Sequence, residues 1–475
     1  MTSPAIARLR IFSSLLLAAA CGGGKDVGPN QPPVAAAGGP YTTNTGAVSF
    51  DGSASSDPDG DALTYSWDFG DGENGRGARP MHTYRATGSF TVRLTVTDAR
   101  GGTSAPASTS AQVSNVGPTV EAGTSKAVPV GSSYALSATF TDGAEGPWDY
   151  TIQWGDGTTS DGDRGSPGTI TATHAYASEA GYRVVVNVTD RFGAQGSDSL
   201  TITATPPVLV GAGDIGDCLR TGDDSTGALL DRIEGIVMPL GDNAYLDGTP
   251  EEYANCYDPA WGRHKARSRP VAGNHDYNTP GATGYYGYFG AAAGDPAKGY
   301  YSYTLGSWFV IVLNTGTDSP PNYAVGSPQE QWLRAELASH SQQCVLAMFH
   351  HPRFSTTLGR GLRPEVKPLW DALYEYGADL VINGHDHSYQ RFAPQKPDGT
   401  ADPAYGIRQI TVGTGGGEGL YQWGDVVPNL DVRDNETWGV IKVTLRQSGY
   451  DWQFVPVTGK TFTDSGSGTC HGRPM

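Results

Sequence analysis

The sequence predicts a multidomain chain: two consecutive β-sandwich units followed by a larger α/β domain. Three observations carry this. The length of 475 residues corresponds to about three domains. The first 205 residues contain an internal repeat rich in alternating strands and turns. From Val208 the pattern changes to buried apolar runs separated by helical segments, each run ending in Asp, Asn or His. The composition agrees. Gly is 66 of 475 residues, about twice the usual share, and the 24 Tyr and 10 Trp supply apolar cores that disordered chains lack.

The N-terminus carries Arg8 and Arg10, then the apolar run Ile11 to Ala20, then Cys21. A basic segment before a short apolar run predicts a secretory signal over residues 1–20. The run is too short to span a bilayer, which needs about 20 residues. Ala18-Ala19-Ala20-Cys21 resembles a bacterial lipobox, with its Leu displaced by one position to Leu17. Cys21 would then carry a lipid anchor at the cell envelope; the alternative is an ordinary signal cut near Cys21 and a secreted protein. The Gly- and Pro-rich residues 21–33 read as a flexible tether. Four cysteines remain, Cys218, Cys256, Cys344 and Cys470, with no zinc spacing. An even count in an exported chain predicts two disulfides. Three pairings are open. Cys218–Cys256, stapling two loops, and Cys344–Cys470, tying down the C-terminus, are favoured over free buried thiols. The net charge of −17 disfavours nucleic acid as a partner.

The repeat divides into units 34–115 and 116–205. The segment Trp67-Asp68-Phe69-Gly70-Asp71-Gly72 has a counterpart in Trp154-Gly155-Asp156-Gly157, with the Gly-Asp-Gly triplets 85 residues apart. Each is followed by His-x-Tyr (His82, Tyr84; His174, Tyr176) and by a strand ending Val-Thr-Asp. These motifs resemble the polycystic-kidney-disease (PKD) domain, an immunoglobulin-like β-sandwich. The resemblance implies an extracellular spacer or a module contacting glycan or protein. Asp57, Asp59 and Asp61 lack EF-hand spacing and read as a solvated turn. Pro206-Pro207 closes the second unit.

In residues 206–475 each element serves a strand-end residue. Val208 to Gly213 is a buried strand ending at Asp214, with a helix predicted over Gly227 to Ile233. Ile236 to Leu240 is the next strand, ending at Gly241-Asp242. Pro270 to Gly273 leads into Asn274-His275-Asp276, and Val345 to Phe349 into His350-His351. A helix bearing Leu369, Leu373 and Tyr376 precedes Leu380 to Ile382, which opens into Asn383-Gly384-His385-Asp386-His387. Open α/β sheets build their sites at the C-terminal strand ends. Carboxylate, amide oxygen and imidazole together are ligands for first-row metals. Two such ions about 3.5–4 Å apart clamp a phosphoryl group and activate water.

This ordered set resembles the calcineurin-like metallophosphoesterases. Tyr245, three residues after Asp242, narrows the resemblance to the purple acid phosphatases. It implies a four-layer αββα domain with two central mixed sheets. It further implies Asp214, Tyr245 and His387 at metal one, typically iron, and Asn274, His350 and His385 at metal two, iron, zinc or manganese. Asp242 would bridge the ions, and His275 would stand beside the substrate phosphate as charge stabiliser or leaving-group acid. Where that family carries a further His, this chain has Arg360, which can clamp phosphate but cannot give up a proton. Tyr285 to Phe289 and Tyr300 to Tyr303 are expected to pack the sheet edge rather than stack a substrate. The glycine-rich Thr411 to Gly417 is a strand end passing close to the site, not a P-loop.

The expected function is an exported, acid-phosphatase-like phosphomonoesterase that attacks phosphorus in line with metal-bound hydroxide. Two alternatives stand beside it. One is a phosphodiesterase or nucleotidase using the same metals. The other is a surface adhesion or glycan-binding protein with a vestigial phosphoesterase domain.

Overall fold

The structure is a computed structural model that describes residues 28–144, 146–316 and 323–474. The signal over 1–20, Cys21 and the first part of the tether lie outside the described residues.

Each repeat folds as two packed antiparallel-rich sheets. In the first, a five-stranded sheet (in order Tyr41–Thr43, Ala107–Val113, Gly88–Thr97, Thr64–Asp68, Asn74–Arg76) packs on the pair Ala47–Ser49 and Met81–Thr83. In the second, a five-stranded sheet centred on Ala180–Thr189 packs on a three-stranded one centred on Ser133–Thr141. The alternation of Phe90 to Val96 delivers Val92, Leu94 and Val96 to the core around Trp67 and Phe69. The shared motifs are a structural lock. The Tyr84 hydroxyl donates to the Phe69 carbonyl at 3.0 Å, and Tyr176 does the same to Trp154 at 3.0 Å. His82 lies 2.7 Å from the carboxylate of Asp71, and His174 2.7 Å from that of Asp156. The Asp57 carboxylate accepts from the N–H groups of Asp59 and Asp61, as a turn would, and Arg100 faces the other two acids.

The C-terminal domain has two sheets face to face. One is seven-stranded and mixed, in the order Tyr301–Leu305, Trp308–Val312, Cys344–Met348, Leu380–Asn383, Arg408–Val412, Tyr389–Phe392, Leu430–Asp434. The other is five-stranded: Ile236–Val237, Val208–Gly211, Gly439–Arg446, Gly449–Pro456, Ser465–Thr469. The central parallel strands are apolar on both faces because both are covered. Trp308, Val310 and Val312 point between the sheets, where they meet Leu209, Val440 and Ile441. Phe309 and Ile311 point outward to Leu333 and Leu337 of helix Pro328–Ser339 and to Leu369 and Leu373 of helix Lys367–Glu375. Helix Gly222–Leu230 covers the other flank.

Two local expectations are corrected. The first helix spans Gly222–Leu230, not Gly227 to Ile233. The exposed Asp224 in its first turn complements the helix dipole and favours the earlier start. Tyr285 to Phe289 do not form a sheet edge. They lie in helix Thr283–Phe289, where Tyr285, Tyr288 and Phe289 close an aromatic cluster with Tyr253 and Tyr257. Tertiary packing overrides their strand preference. Tyr301 to Tyr303 do sit on the edge strand of the seven-stranded sheet.

Both favoured disulfides form, Cys218–Cys256 and Cys344–Cys470. No helix among the described residues is long and apolar enough to cross a membrane. Arg191 of the second sandwich donates to the carbonyls of Thr45 and Tyr84 in the first, at 3.2 and 3.3 Å. The second sandwich meets the C-terminal domain where Glu179 accepts from the Gln447 N–H at 3.1 Å.

Candidate metal centre

All the predicted strand-end residues converge at one end of the two sheets, and the backbone there is strained to bring them in. Asp214, Asp242 and His385 hold positive φ of 63°, 50° and 69°. Non-glycine residues adopt such angles at a cost of about 1–3 kcal/mol each, and they concentrate at functional sites. Gly241 and Gly273 make the approach possible. A Cβ at Gly241 would strike the His350 ring, and one at Gly273 would strike the Asp242 backbone and carboxylate.

The side chains fall into two groups that share one carboxylate. In the first, the Tyr245 hydroxyl is 3.0 Å from Asp214 Oδ1 and 3.1 Å from His387 Nε2, and that nitrogen is 3.2 Å from the same Asp214 oxygen. In the second, Asp242, His350 and His385 present ligand atoms within 4.8 Å of one another. Asp242 Oδ2 is 3.0 Å from His350 Nε2 and 3.4 Å from the Tyr245 hydroxyl, so it lies between the groups. The Asn274 side-chain oxygen is buried without a hydrogen-bond partner.

Neighbouring carbonyls orient the rings. His350 Nδ1–H donates to the Leu240 carbonyl at 2.8 Å, and His387 Nδ1–H to that of Gly419 at 3.2 Å, leaving both Nε2 atoms facing the carboxylates. His385 is placed by its own N–H, which donates to Asp214 Oδ2 at 2.8 Å. Behind the site, Asp276 accepts from the N–H of Gly273, the side chain of Asn243 and the hydroxyl of Tyr253.

The electrostatics suit cations. Burial opposes ionisation of Asp242, but the charge and hydrogen bond of His350 outweigh it and hold the carboxyl well below its ordinary range. Burial, with the positive neighbours around it, keeps the His385 imidazole neutral. Burial and the charges of Asp214 and Asp242 push the Tyr245 phenol far above its ordinary value. Only a strongly Lewis-acidic ion among these oxygens would hold it ionised. The donors and the orphaned Asn274 oxygen fit two metal ions.

Arg360 reaches the site, its guanidinium against His385 Nε2 and 3.5 Å from Asp386. Sequence reasoning missed two of its companions. Arg363 Nη2 also meets His385 Nε2, at 2.5 Å. Tyr421 stacks on His387 with centroids 4.1 Å apart and receives a 3.4 Å contact from Arg360 Nη2. Arg363 was signalled only by its place three residues after Arg360, and Tyr421 lies in a loop without pattern. His275 stands at the mouth, its N–H donating to Asp242 Oδ1 at 2.8 Å and its Nδ1–H to the Leu246 carbonyl at 2.6 Å.

This is an α/β domain with a dinuclear-type donor set at its strand ends, carried behind two β-sandwiches. Residues 30–113 and 115–205 match the family model of the PKD domain, and residues 209–389 match that of the calcineurin-like phosphoesterases. The chain therefore carries PKD domains followed by a calcineurin-like phosphoesterase domain, a fold that implies a dinuclear metal centre. Among curated proteins, purple acid phosphatase 18 of Arabidopsis thaliana is 32% identical over 137 residues, 27% of this chain and 29% of that protein. Collagenase ColA of Clostridium perfringens is 51% identical over 55 residues, 12% of this chain and 5% of the collagenase. This chain thus spans less than a third of either relative. A purple acid phosphatase structure from yellow lupin seeds aligns with 84% of this chain and 82% of its own, at 16% identity and a TM-score of 0.45.

Proposed function

We propose that the protein is an exported dinuclear-metal phosphoesterase of the acid-phosphatase type that hydrolyses phosphate monoesters. The observation that carries this reading is the Asp242 carboxylate, set between the Tyr245–Asp214–His387 group and the His350–His385 group. Asp214, Tyr245 and His387 hold the first ion, iron. Asn274, His350 and His385 hold the second, iron, zinc or manganese, and Asp242 is shared. When bound, the two ions supply Lewis acidity to the phosphoryl oxygens and to the attacking water.

The chain's own residues do the rest. Arg360 and Arg363 direct N–H donors to the His385 side of the site, where they orient the phosphate and offset its charge. His275 is held through Nδ1–H by Leu246, so its Nε2 is free to carry the proton that the leaving alkoxide takes. The buried walls around His350 and Asp214 exclude bulk water from the reacting end. The PKD domains serve as spacers or contact modules for glycan or protein outside the cell, with Cys21 as a lipid anchor.

The test is metal analysis of purified full-length mature protein, with its visible spectrum and p-nitrophenyl phosphate turnover read on one sample. About two metals per chain, a tyrosinate–iron absorption band and turnover support the proposal. Turnover without the band rejects iron on Tyr245. Faster turnover of bis-p-nitrophenyl phosphate supports the diesterase alternative. No bound metal and no activity after reconstitution overturns the enzyme reading.

A further inference from the structure

A cavity of about 600 Å³ opens beside the metal centre, lined by Asp217, Leu219, Arg220, Leu246, Glu418 and Tyr421, with Gly419. Its walls are the groups that orient the site. The Leu246 carbonyl holds His275, the Gly419 carbonyl holds His387, and the Tyr421 ring stacks on His387. The cavity therefore lies on the side of the site where His275 stands, and Arg363 is not among its lining residues.

Two large apolar side chains are kept in water at its rim. Leu219 is 90% exposed and Leu246 55% exposed. Neither is loose. The Leu219 N–H donates to Asp217 Oδ1 at 2.9 Å, in a turn pinned by the neighbouring Cys218–Cys256 disulfide. The Leu246 N–H donates to Glu252 Oε1 at 2.5 Å, within a capped helix start. Exposed apolar side chains on a hydrogen-bonded backbone beside a polar site form a ready binding wall. The charge is equally specific. Asp217 and Glu418 face one cation, Arg220, already paired with Asp217 at 3.3 Å. The lining side chains thus carry a net negative charge, while Arg360, which also touches the Tyr421 wall, and Arg363 gather at His385.

We propose that this cavity is the leaving-group subsite and selects phosphomonoesters of apolar alcohols with a neutral or cationic outer end, against alcohols bearing further anionic groups. The apolar body of the alcohol lies on Leu219, Leu246 and the Tyr421 side. A second phosphate or a carboxylate would meet Glu418, while Arg220, the cation among the lining residues, is already paired with Asp217. The inference rests on the phosphoesterase reading.

The test uses the full-length, metal-loaded protein and two readouts. The first is relative kcat/KM on phenyl phosphate, phosphocholine and ATP. The second is calorimetric binding of phenylphosphonate against methylphosphonate, which needs no turnover. The wild type should favour phenyl phosphate and phosphocholine over ATP. Glu418→Lys should narrow the phenyl phosphate-to-ATP ratio by about tenfold, because it reverses one charge near the ligand. Leu219→Ser should weaken phenylphosphonate about fivefold and leave methylphosphonate unchanged, since it removes apolar contact area without adding charge. Unchanged ratios and an unchanged phosphonate gap in correctly folded variants would overturn the subsite. Absence of turnover on every ester would overturn the phosphoesterase reading instead; the phosphonate gap alone would then decide the cavity.

Discussion

The imidazole of His387 lies face to face with the ring of Tyr421, centroids 4.1 Å apart and planes 9° from parallel. The same imidazole turns Nε2 toward Asp214 and Tyr245 while donating from Nδ1–H to Gly419. Its orientation is therefore fixed by stacking as well as by hydrogen bonding. Tyr421→Ala should weaken metal retention at the first site about tenfold, the usual scale for a support behind a ligand, and Tyr421→Phe should restore it. Dialysis against graded chelator followed by metal analysis checks this.

The Asp242 carboxylate lies between the two groups of donors, 3.0 Å from His350 Nε2 and 3.4 Å from the Tyr245 hydroxyl. Asp242→Ala should reduce p-nitrophenyl phosphate turnover by at least about 100-fold, because it removes several kcal/mol of positioning and charge. The circular dichroism spectrum should be retained, since the β cores do not depend on that side chain.

Asp276 is buried and accepts from Gly273, Asn243 and Tyr253 at once. Asp276→Asn replaces an all-acceptor group by one that must also donate. The expected loss is about 2–4 kcal/mol, measured by urea unfolding, because buried donors are left facing a donor. Tyr253→Phe should cost about 1 kcal/mol by the same measurement.

Burial pushes the Asp223 carboxyl from 3.8 up to about 7, and the charges of Asp224 and Asp217 add to the shift. The folded state then binds this proton more tightly than the unfolded chain does. This residue's contribution to stability falls as pH rises from about 4 to about 7 and is level above that. Asp223→Asn should flatten that part of the profile and leave the protein more stable than wild type at pH 8. Thermal unfolding across pH measures it.

Cys344 and Cys470 close a span of 126 residues and hold the last strand to the seven-stranded sheet. Cys470→Ser should lower stability by about 2–5 kcal/mol, read as a fall in thermal midpoint, because the unfolded chain regains the freedom the crosslink removes.

The order of architecture was legible in the chain. The Gly-Asp-Gly and His-x-Tyr repeats announced two sandwiches because each motif is a local lock within one unit, as the Tyr84–Phe69 and Tyr176–Trp154 bonds make plain. Strand-end Asp, Asn and His residues were equally visible, since a parallel strand buried on both faces reads as an unbroken apolar run that stops where polar chemistry begins. The helix Thr283–Phe289 was not legible, because its aromatic residues prefer strands and become helical only by packing on Tyr253 and Tyr257. Arg363 and Tyr421 were hidden for a related reason. Each comes from an irregular loop whose course is set by contacts with distant residues, such as the bond from Tyr421 N–H to the His387 carbonyl at 2.9 Å. By itself the sequence determined which donors exist and at which strand ends they stand, because periodicity and turn chemistry act over a few residues. Tertiary structure alone decided that Asp242 lies between two groups, that two arginines meet at His385, and that Leu219 and Leu246 stand exposed beside His275. Those relations depend on sheet packing and loop closure over sequence separations such as 22 residues, between Arg363 and His385, and 142, between Tyr245 and His387, which no local pattern records.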